Sequence, residues 1–283
     1  MARVAVVNRD DESYESIKYK VLSIKNKRKV VTYGLSKNSD INPKTFPFKT
    51  RLIGDFNKYN ILAAVSACKA LGIKDDAVRE SIESFVPPLG REDLVYDTDF
   101  RVMIDFAHTP NAFEQVLSSI RPNIKGRLIH VFGSAGERDT SKRPIMGKIS
   151  AKYADTIILT AEDPRSESVE KIMEEIVSGI QNSKFKIQKY NSKFKNKGDK
   201  NIIFKIADRK EAIKAAVKMA RKGDFVLITG KAHERSMNYG KGEEPWDEFG
   251  TVKEALKNKL PPRRSPIGHL RGGEGIRPST PRK

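Results

Sequence analysis

Four short clusters hold the side chains of this 283-residue chain that could do chemistry. They are Asp105-Phe106-Ala107-His108-Thr109-Pro110; Gly133-Ser134-Ala135-Gly136 with Glu137, Arg138, Asp139, Lys142 and Arg143 after it; Glu162-Asp163-Pro164-Arg165-Ser166-Glu167; and Gly230-Lys231-Ala232-His233-Glu234. A guanidinium grips a carboxylate or phosphate through two parallel hydrogen bonds, and a glutamate suits an ammonium. The small-residue turn from Gly133 lets backbone N–H groups approach an anion at a helix start. Each feature also has an ordinary reading. Glycine-rich turns arise for steric reasons alone, His108 could cap a helix, Arg165 could pair with Glu167 on the surface, and Lys231 and His233 could belong to a plain loop.

Stepping from these side chains to the elements that carry them, short apolar runs read as buried strands at Arg101–Phe106, Leu128–Phe132, Thr156–Leu159, Ile202–Ile206 and Phe225–Thr229. Helical patterns lie between them at Asn111–Ile120, Ser168–Ile180 and Lys210–Arg221, with another helix that Pro144 would start. Alternating strand and helix predicts an α/β fold, a Rossmann-like, mostly parallel, doubly wound sheet. All four clusters then fall just past the C-terminal ends of strands, where open α/β sheets bind ligands. Arg235–Trp246 reads as a loop, with Trp246 a packing residue.

Upstream, Val4–Val7 reads as a strand, residues 28 to 53 as short β-like pieces including Phe48 to Ile53, and Gly54–Asn60 opens a helix ended by Gly72. Asn57 and Asn60 could be no more than caps for that helix. A second helix is expected from Asp75 to Phe85, and Pro87-Pro88 with Gly90-Arg91 marks a domain boundary. The expected division is a partial α/β central domain at 1–86, the sheet domain at 87–260 and a disordered basic tail at 261–283. A chain that begins almost at once with a strand also reads as cut.

The net charge of +18 is concentrated. Residues 261–283 carry six positive side chains against Glu274, and Gln181–Lys200 has seven lysines against one aspartate. Both read as solvated loop or tail, so specific nucleic-acid binding is not expected. A single cysteine, Cys68, excludes a disulfide framework. No apolar run approaches the roughly 18 residues of a membrane span, and no signal-peptide pattern opens the chain. A cytoplasmic protein without membrane partners is expected.

Taken together, the four clusters, Gly54–Asn60 with Leu62-Ala63-Ala64, and Gly90-Arg91-Glu92 resemble the Mur ligases, in the family's order over roughly residues 4 to 258. Within that family they resemble the UDP-N-acetylmuramoyl-tripeptide synthetase branch, which adds the third peptide residue to the peptidoglycan precursor. The part resembled is the end of the central ATPase domain and the whole C-terminal domain. The resemblance implies that Asn57 and Asn60 lie near the adenine of ATP, that Arg91, Asp105 and His108 help hold the nucleotide, and that Arg138, Asp163, Arg165, Gly230 and Glu234 form the pocket for the incoming amino acid. Asp-Pro-Arg looks like the branch selecting meso-diaminopimelate over lysine.

The implied reaction is ATP-dependent amide-bond formation through an acyl phosphate on UDP-N-acetylmuramoyl-L-alanyl-D-glutamate, with Mg²⁺ whose ligands are not expected in this chain. No Gly-x-x-Gly-Lys-Thr loop occurs in the 283 residues, so the chain by itself is expected to bind the amino acid without turnover, with the missing N-terminal portion of such a ligase a candidate partner. Glu162-Asp163 stands where the family has Asp-Asn, and Ala232 where it has Gly, which bears on amino-acid choice. The alternatives are a folylpolyglutamate- or cyanophycin-type ligase, or a non-catalytic nucleotide-, amino-acid- or nucleic-acid-associated module.

Overall fold

A computed structural model of the chain describes residues 4–23, 29–180, 185–190 and 200–259. The expectations for 261–283 and for most of the lysine-rich stretch before Lys200 lie outside these residues. Two compact units divide the chain, Met1–Pro87 with Glu114–Pro122, and Pro88–Phe113 with Asn123–Lys283.

In the first unit, β1 (Val4–Asn8), α1 (Tyr14–Leu22), β2 (Lys29–Tyr33), α2 (Asp55–Ala70) and α3 (Asp75–Ser84) follow in order. β1 and β2 pair in parallel from Val4↔Lys29 to Asn8↔Tyr33. α2 packs on both strands; its buried Ile61, Leu62 and Val65 recur at helical spacing and meet Ile41, Phe46 and Val78 in one apolar core. Phe48 to Ile53, expected to be β-like, joins no ladder among the described residues. Pro47, immediately before it, has no N–H to give to a neighbouring strand.

The second unit contains β3 (Asp93–Asp97), β4 (Arg101–Asp105), α4 (Pro110–Ile120, shared between the units from Glu114 onward), β5 (Leu128–Phe132), α5 (Lys142–Tyr153), β6 (Thr156–Leu159), α6 (Val169–Ser178), β7 (Lys186–Gln188), β8 (Ile202–Lys205), α7 (Arg209–Met219), β9 (Phe225–Thr229), β10 (Ser236–Asn238), β11 (Glu243–Pro245) and α8 (Glu248–Lys259). Seven strands form one sheet in the order β3-β4-β9-β5-β6-β8-β7. Only the β3–β4 pair is antiparallel. β5 and β9 are buried at every residue, the near-continuous apolar pattern of a parallel strand covered on both faces.

β9 sits between β4 and β5, in register Asp105↔Thr229 on one side and Val131↔Ile228 on the other. α7 lies over β5, β6 and β9 and packs against α8, burying Ala212, Ile213, Ala216 and Val217 in the main core. Two polar devices lie inside. Arg127 at the start of β5 pairs with Asp224 at 2.6 Å. His130 in β5 is held between Ser150 Oγ at 2.9 Å and Thr229 Oγ1 at 3.1 Å.

The mostly parallel α/β sheet expected from the sequence is present. The antiparallel edge strand β3, the β10–β11 hairpin and α8 were not anticipated, and the lysine-rich stretch read as solvated loop supplies the other edge strand, β7, which pairs with β8 from Lys186↔Ile202. α5 starts at Lys142 rather than Pro144, which still leaves the proline in the first turn, where no N–H is needed.

Candidate functional site

The C-terminal ends of β4, β5, β6 and β9 bring the four clusters together in the second unit. The turns after β5 and β6 are locked against each other. The Gly136 N–H donates to the Asp163 carbonyl at 2.9 Å, and a Cβ at Gly136 would overlap the Pro164 carbonyl. The Glu137 N–H is likewise used, by the Glu167 carboxylate. The glycine at 136 is therefore demanded by packing, and its amide and that of Glu137 are occupied by the protein rather than free for an anion. Of the two readings open for this turn, the steric one describes these two positions.

Arg143, in the charged run after that turn, points inward. Its fully buried guanidinium pairs with Glu167 at 2.9 Å and Glu175 at 2.5 Å and donates to the Ala135 carbonyl at 3.0 Å. The hydrogen bond from Arg143 pulls the Glu167 carboxyl down to about 2. Glu167 thus pairs with Arg143, not with Arg165. Arg165 donates through its guanidinium to the Gly136 carbonyl, and its N–H donates to the Asn238 carbonyl at 3.0 Å. Arg138 is exposed and makes no ion pair among the described residues, which leaves its guanidinium open to a ligand.

Lys231 is the hub. Only 1% exposed, it reaches both oxygens of Asp163, at 2.9 and 2.8 Å, and Glu234 at 2.8 Å. Asp163 also accepts from the Asn238 N–H at 2.9 Å. The stretch 235–246, expected to be a loop, contains the β10–β11 hairpin, and the hairpin holds the Asp163-Pro164-Arg165 turn through Asn238. Trp246 donates its indole N–H to Glu248 at 2.8 Å.

Beneath the site, the buried Arg209 donates to Glu248 at 3.0 Å through Nε, to the Ala161 carbonyl at 3.1 Å and to the Thr229 carbonyl at 2.8 Å. It thereby fixes the ends of β6 and β9 relative to each other. Glu137, Asp163, Arg165 and Ala232 all have positive φ, at 53°, 42°, 51° and 43°. Non-glycine residues in this region carry roughly 1 kcal/mol or more of strain each, and these four lie in the turns after β5, β6 and β9.

On the β4 side, Asp105 is buried and accepts from the Ala107 N–H at 2.7 Å and the Glu92 N–H at 2.9 Å. Its carboxylate thus braces the turn that carries Arg91. The Arg91 guanidinium stands 4.4 Å over the Phe106 ring, whose other neighbours are His108 at 4.7 Å and His233 at 4.8 Å. His108 Nδ1 is 2.9 Å from the Phe106 carbonyl, and Lys142 donates to the His108 carbonyl at 2.9 Å. Arg91 and His108 are thus brought together, with Phe106 and His233, which sequence reasoning did not pair with them, completing the cluster. Asn57 and Asn60 lie on α2 in the first unit, where the Asn57 amide donates to the Ile53 carbonyl at 2.8 Å, and are described with that unit alone.

Two residues of the clusters that were given no role from the sequence are Lys231, which read as part of a plain loop, and Glu162. Glu162 is buried, its Oε2 has no hydrogen-bond partner among the described residues, and burial pushes its carboxyl up to about 7. The glutamate in place of the family's aspartate was the available signal. No group of three His, Cys, Asp or Glu able to hold a metal ion is found among the described residues.

This arrangement of a mostly parallel sheet with cationic and acidic side chains at its switch point defines a class. The family model described as "Mur ligase, glutamate ligase domain" matches residues 90–232, and the chain belongs to that family. Among curated proteins it is 43% identical to the UDP-N-acetylmuramoyl-L-alanyl-D-glutamate--2,6-diaminopimelate ligase of Aquifex aeolicus over 213 residues, 75% of this chain and 40% of that one. Among solved structures, one of a UDP-N-acetylmuramoyl-L-alanyl-D-glutamate--2,6-diaminopimelate ligase superposes with a TM-score of 0.53 at 27% identity, covering 90% of this chain and 53% of that chain. Folylpolyglutamate synthase of Mycobacterium tuberculosis, solved with ADP and AMPPCP, shares the fold at a TM-score of 0.57 and 17% identity, over 80% of this chain and 52% of its own. The chain spans about half the length or less of these relatives.

Proposed function

We propose that this chain is the amino-acid-binding part of an ATP-dependent carbon–nitrogen ligase that joins meso-diaminopimelate to UDP-N-acetylmuramoyl-L-alanyl-D-glutamate in peptidoglycan precursor synthesis, in the cytoplasm. The observation that carries this reading is the ion-paired cluster of Asp163, Lys231 and Glu234 beside Arg165 and Gly230, at the strand ends of a domain 43% identical to a protein bearing that name. A zwitterionic substrate with two ammonium and two carboxylate groups matches a pocket that alternates carboxylates with guanidinium groups. Arg138 and Arg165 receive carboxylate, Glu234 receives ammonium, and the Gly230 backbone lets the ligand approach.

On the β4 side, a guanidinium, an imidazole and a lysine ammonium (Arg91, His108 and Lys142) form a donor set that fits the phosphates and ribose of ATP, with Asp105 shaping the Arg91 turn. Asn57 and Asn60 serve the adenine. Residues 1–86 are the end of the ATPase domain, 87–260 the amino-acid domain and 261–283 an appended basic tail. In the reaction ATP activates the precursor's carboxylate as an acyl phosphate; the substrate amine then forms the C–N bond as the C–O bond to phosphate breaks. Catalysis of this type rests on positioning and charge neutralisation. Mg²⁺ supplies such neutralisation when bound, and this chain offers it no ligand cluster among the described residues.

The test is calorimetric titration of the 283-residue chain with meso-diaminopimelate and with L-lysine. Saturable binding of the first, tighter than the second, is expected; an absence of binding to either defeats the reading. ADP release from ATP, precursor and amino acid is expected only when a segment supplying Gly-x-x-Gly-Lys-Thr is added.

A further inference from the structure

Every strand of the seven-stranded sheet except β3 runs the same way. The four clusters therefore lie at one end of the sheet, and the turns that enter its strands lie at the other. At that far end the turns before β5 and β9 touch directly. The Gly126 N–H donates to the Gly223 carbonyl at 3.0 Å, and a Cβ at Gly126 would stand 2.6 Å from that carbonyl oxygen. Main-chain contact with no room for a side chain brings together Lys125 from one turn and Arg221 and Lys222 from the other.

Lys186 opens β7 at the same end, and α8 delivers Lys257 there. The direction of α8 is fixed at both of its ends. Glu248 pairs with Arg209 at the start of α7, and Lys259 Nζ donates to the Val217 carbonyl near the end of α7 at 2.7 Å. Lys125, Lys186, Arg221, Lys222 and Lys257 are all exposed, and none makes an ion pair among the described residues. The acids of these turns do not offset them. Asp224 is buried against Arg127, Asp155 pairs with Lys200 at 3.4 Å, and Asp97 and Asp99 of the β3–β4 turn are the exposed ones. Residues 261–283, with six cations against Glu274, follow α8 in the sequence. Like charges gathered on one face repel one another, and an anionic partner relieves that repulsion.

We infer that this end of the sheet is an electrostatic docking face for an anionic lipid bilayer, against which the second unit rests with its pocket turned toward the solution. Three features select a lipid surface among polyanions. The cations extend from β9 to β7, four interstrand steps or about 19 Å, which suits a plane better than a strand. Four of the five are lysines, which act as point charges and lack the planar fork that favours nucleic-acid recognition. Beside Lys186 on the edge strand, Ile187 is 55% exposed, an apolar side chain available to the headgroup layer. No helix among the described residues is long and apolar enough to cross a membrane. That bears on crossing a bilayer and not on lying against one, so the expectation of no membrane partner does not extend to this face. The inference is independent of which ligand the pocket takes.

The experiment is co-sedimentation of the full chain with phosphatidylcholine vesicles, with and without phosphatidylglycerol, at about 0.05 M and about 0.5 M salt. Binding is expected only with phosphatidylglycerol and only at the lower salt. Lys125→Glu/Lys222→Glu, which leaves the pocket residues untouched, should weaken it roughly twentyfold or more, about fivefold for each cation lost. No sedimentation with phosphatidylglycerol overturns the inference. So does binding that this double variant keeps in full while Arg263→Glu/Arg264→Glu loses it, since the tail alone then binds. A chain that ignores the vesicles but binds a duplex RNA through the same two lysines carries a nucleic-acid surface here, and the lipid assignment falls. Should the double variant fail to fold, Lys257→Glu takes its place; a loss of about fivefold is expected, and an unchanged affinity overturns the inference.

Discussion

Lys231 and Asp163 stand 68 positions apart in the chain and meet through two hydrogen bonds of 2.9 and 2.8 Å. The lysine comes from the end of β9 and the aspartate from the end of β6, strands separated in the sheet by β5. Their contact ties the ends of those two strands together across the intervening one.

Lys231→Met should therefore harm both fold and site. It leaves Asp163, 18% exposed, and Glu234, 38% exposed, without their shared cation. Breaking a fully buried pair costs several kcal/mol; with both carboxylates partly solvated, a loss of about 2 kcal/mol is expected in urea unfolding. Amino-acid affinity should fall with it, and a variant as stable as the wild type would contradict the hub role.

Glu162 should make the domain less stable in base. Its folded carboxyl titrates at about 7 against a usual value of 4.5, so the folded state holds the proton more tightly than the unfolded chain. The associated stability is complete below pH 4.5 and is lost as pH rises through about 7. Urea midpoints at pH 5 and pH 8, compared for wild type and Glu162→Gln, should show this decline only in the wild type.

His130 acts in the opposite direction. Burial lowers its imidazole to about 3 from 6.5, so folding keeps it neutral. The unfolded chain takes up the extra proton first, and stability falls as pH drops from 6.5 toward 3. His130→Gln is expected to be less stable at neutrality, having lost the contacts to Ser150 and Thr229, but with a shallower acid limb in its pH profile.

Gly136→Ala should separate the turns after β5 and β6. The new Cβ would overlap the Pro164 carbonyl, and relief requires moving the turn that carries Arg165. A destabilisation of about 1–3 kcal/mol is expected, with meso-diaminopimelate affinity falling further than stability alone explains. Parallel unfolding and calorimetry would separate the two effects.

The first unit should yield first to protease. Its described strands are two, β1 and β2, so its stability leans on the packing of α2 against them rather than on a sheet as large as the seven-stranded one of the second unit. Brief trypsin treatment is expected to accumulate a fragment beginning near Pro88, and equal persistence of both units would refute this.

β4, β5, β6, β8 and β9 were readable because each is a short apolar run between turn residues, and their alternation with helices gave the parallel sheet; β7, three residues in a lysine-rich stretch, was not. The clusters at strand ends were readable for the same reason. What escaped depends on distant partners. Arg143 and Arg138 are both arginines in one charged run, yet one is buried between Glu167 and Glu175 and the other faces solvent; nothing local separates them. Lys231 looked like a loop lysine because Asp163 is far away in sequence. β10 and β11 are each three residues long, below the length at which alternation can be recognised, and β3 is marked as a strand only by its pairing to β4.

The insertion of β9 between β4 and β5 also governs how the domain is made. Until residues 225–229 leave the ribosome, β4 and β5 have no partner at their facing edges, and the growing chain carries two bare apolar rims. The sheet is completed by nearly its last segment, from contacts far apart in sequence, a topology that folds slowly and exposes sticky intermediates. A stop codon before Phe225 would thus leave a split sheet rather than a shortened domain, and such a product belongs to chaperones and proteases.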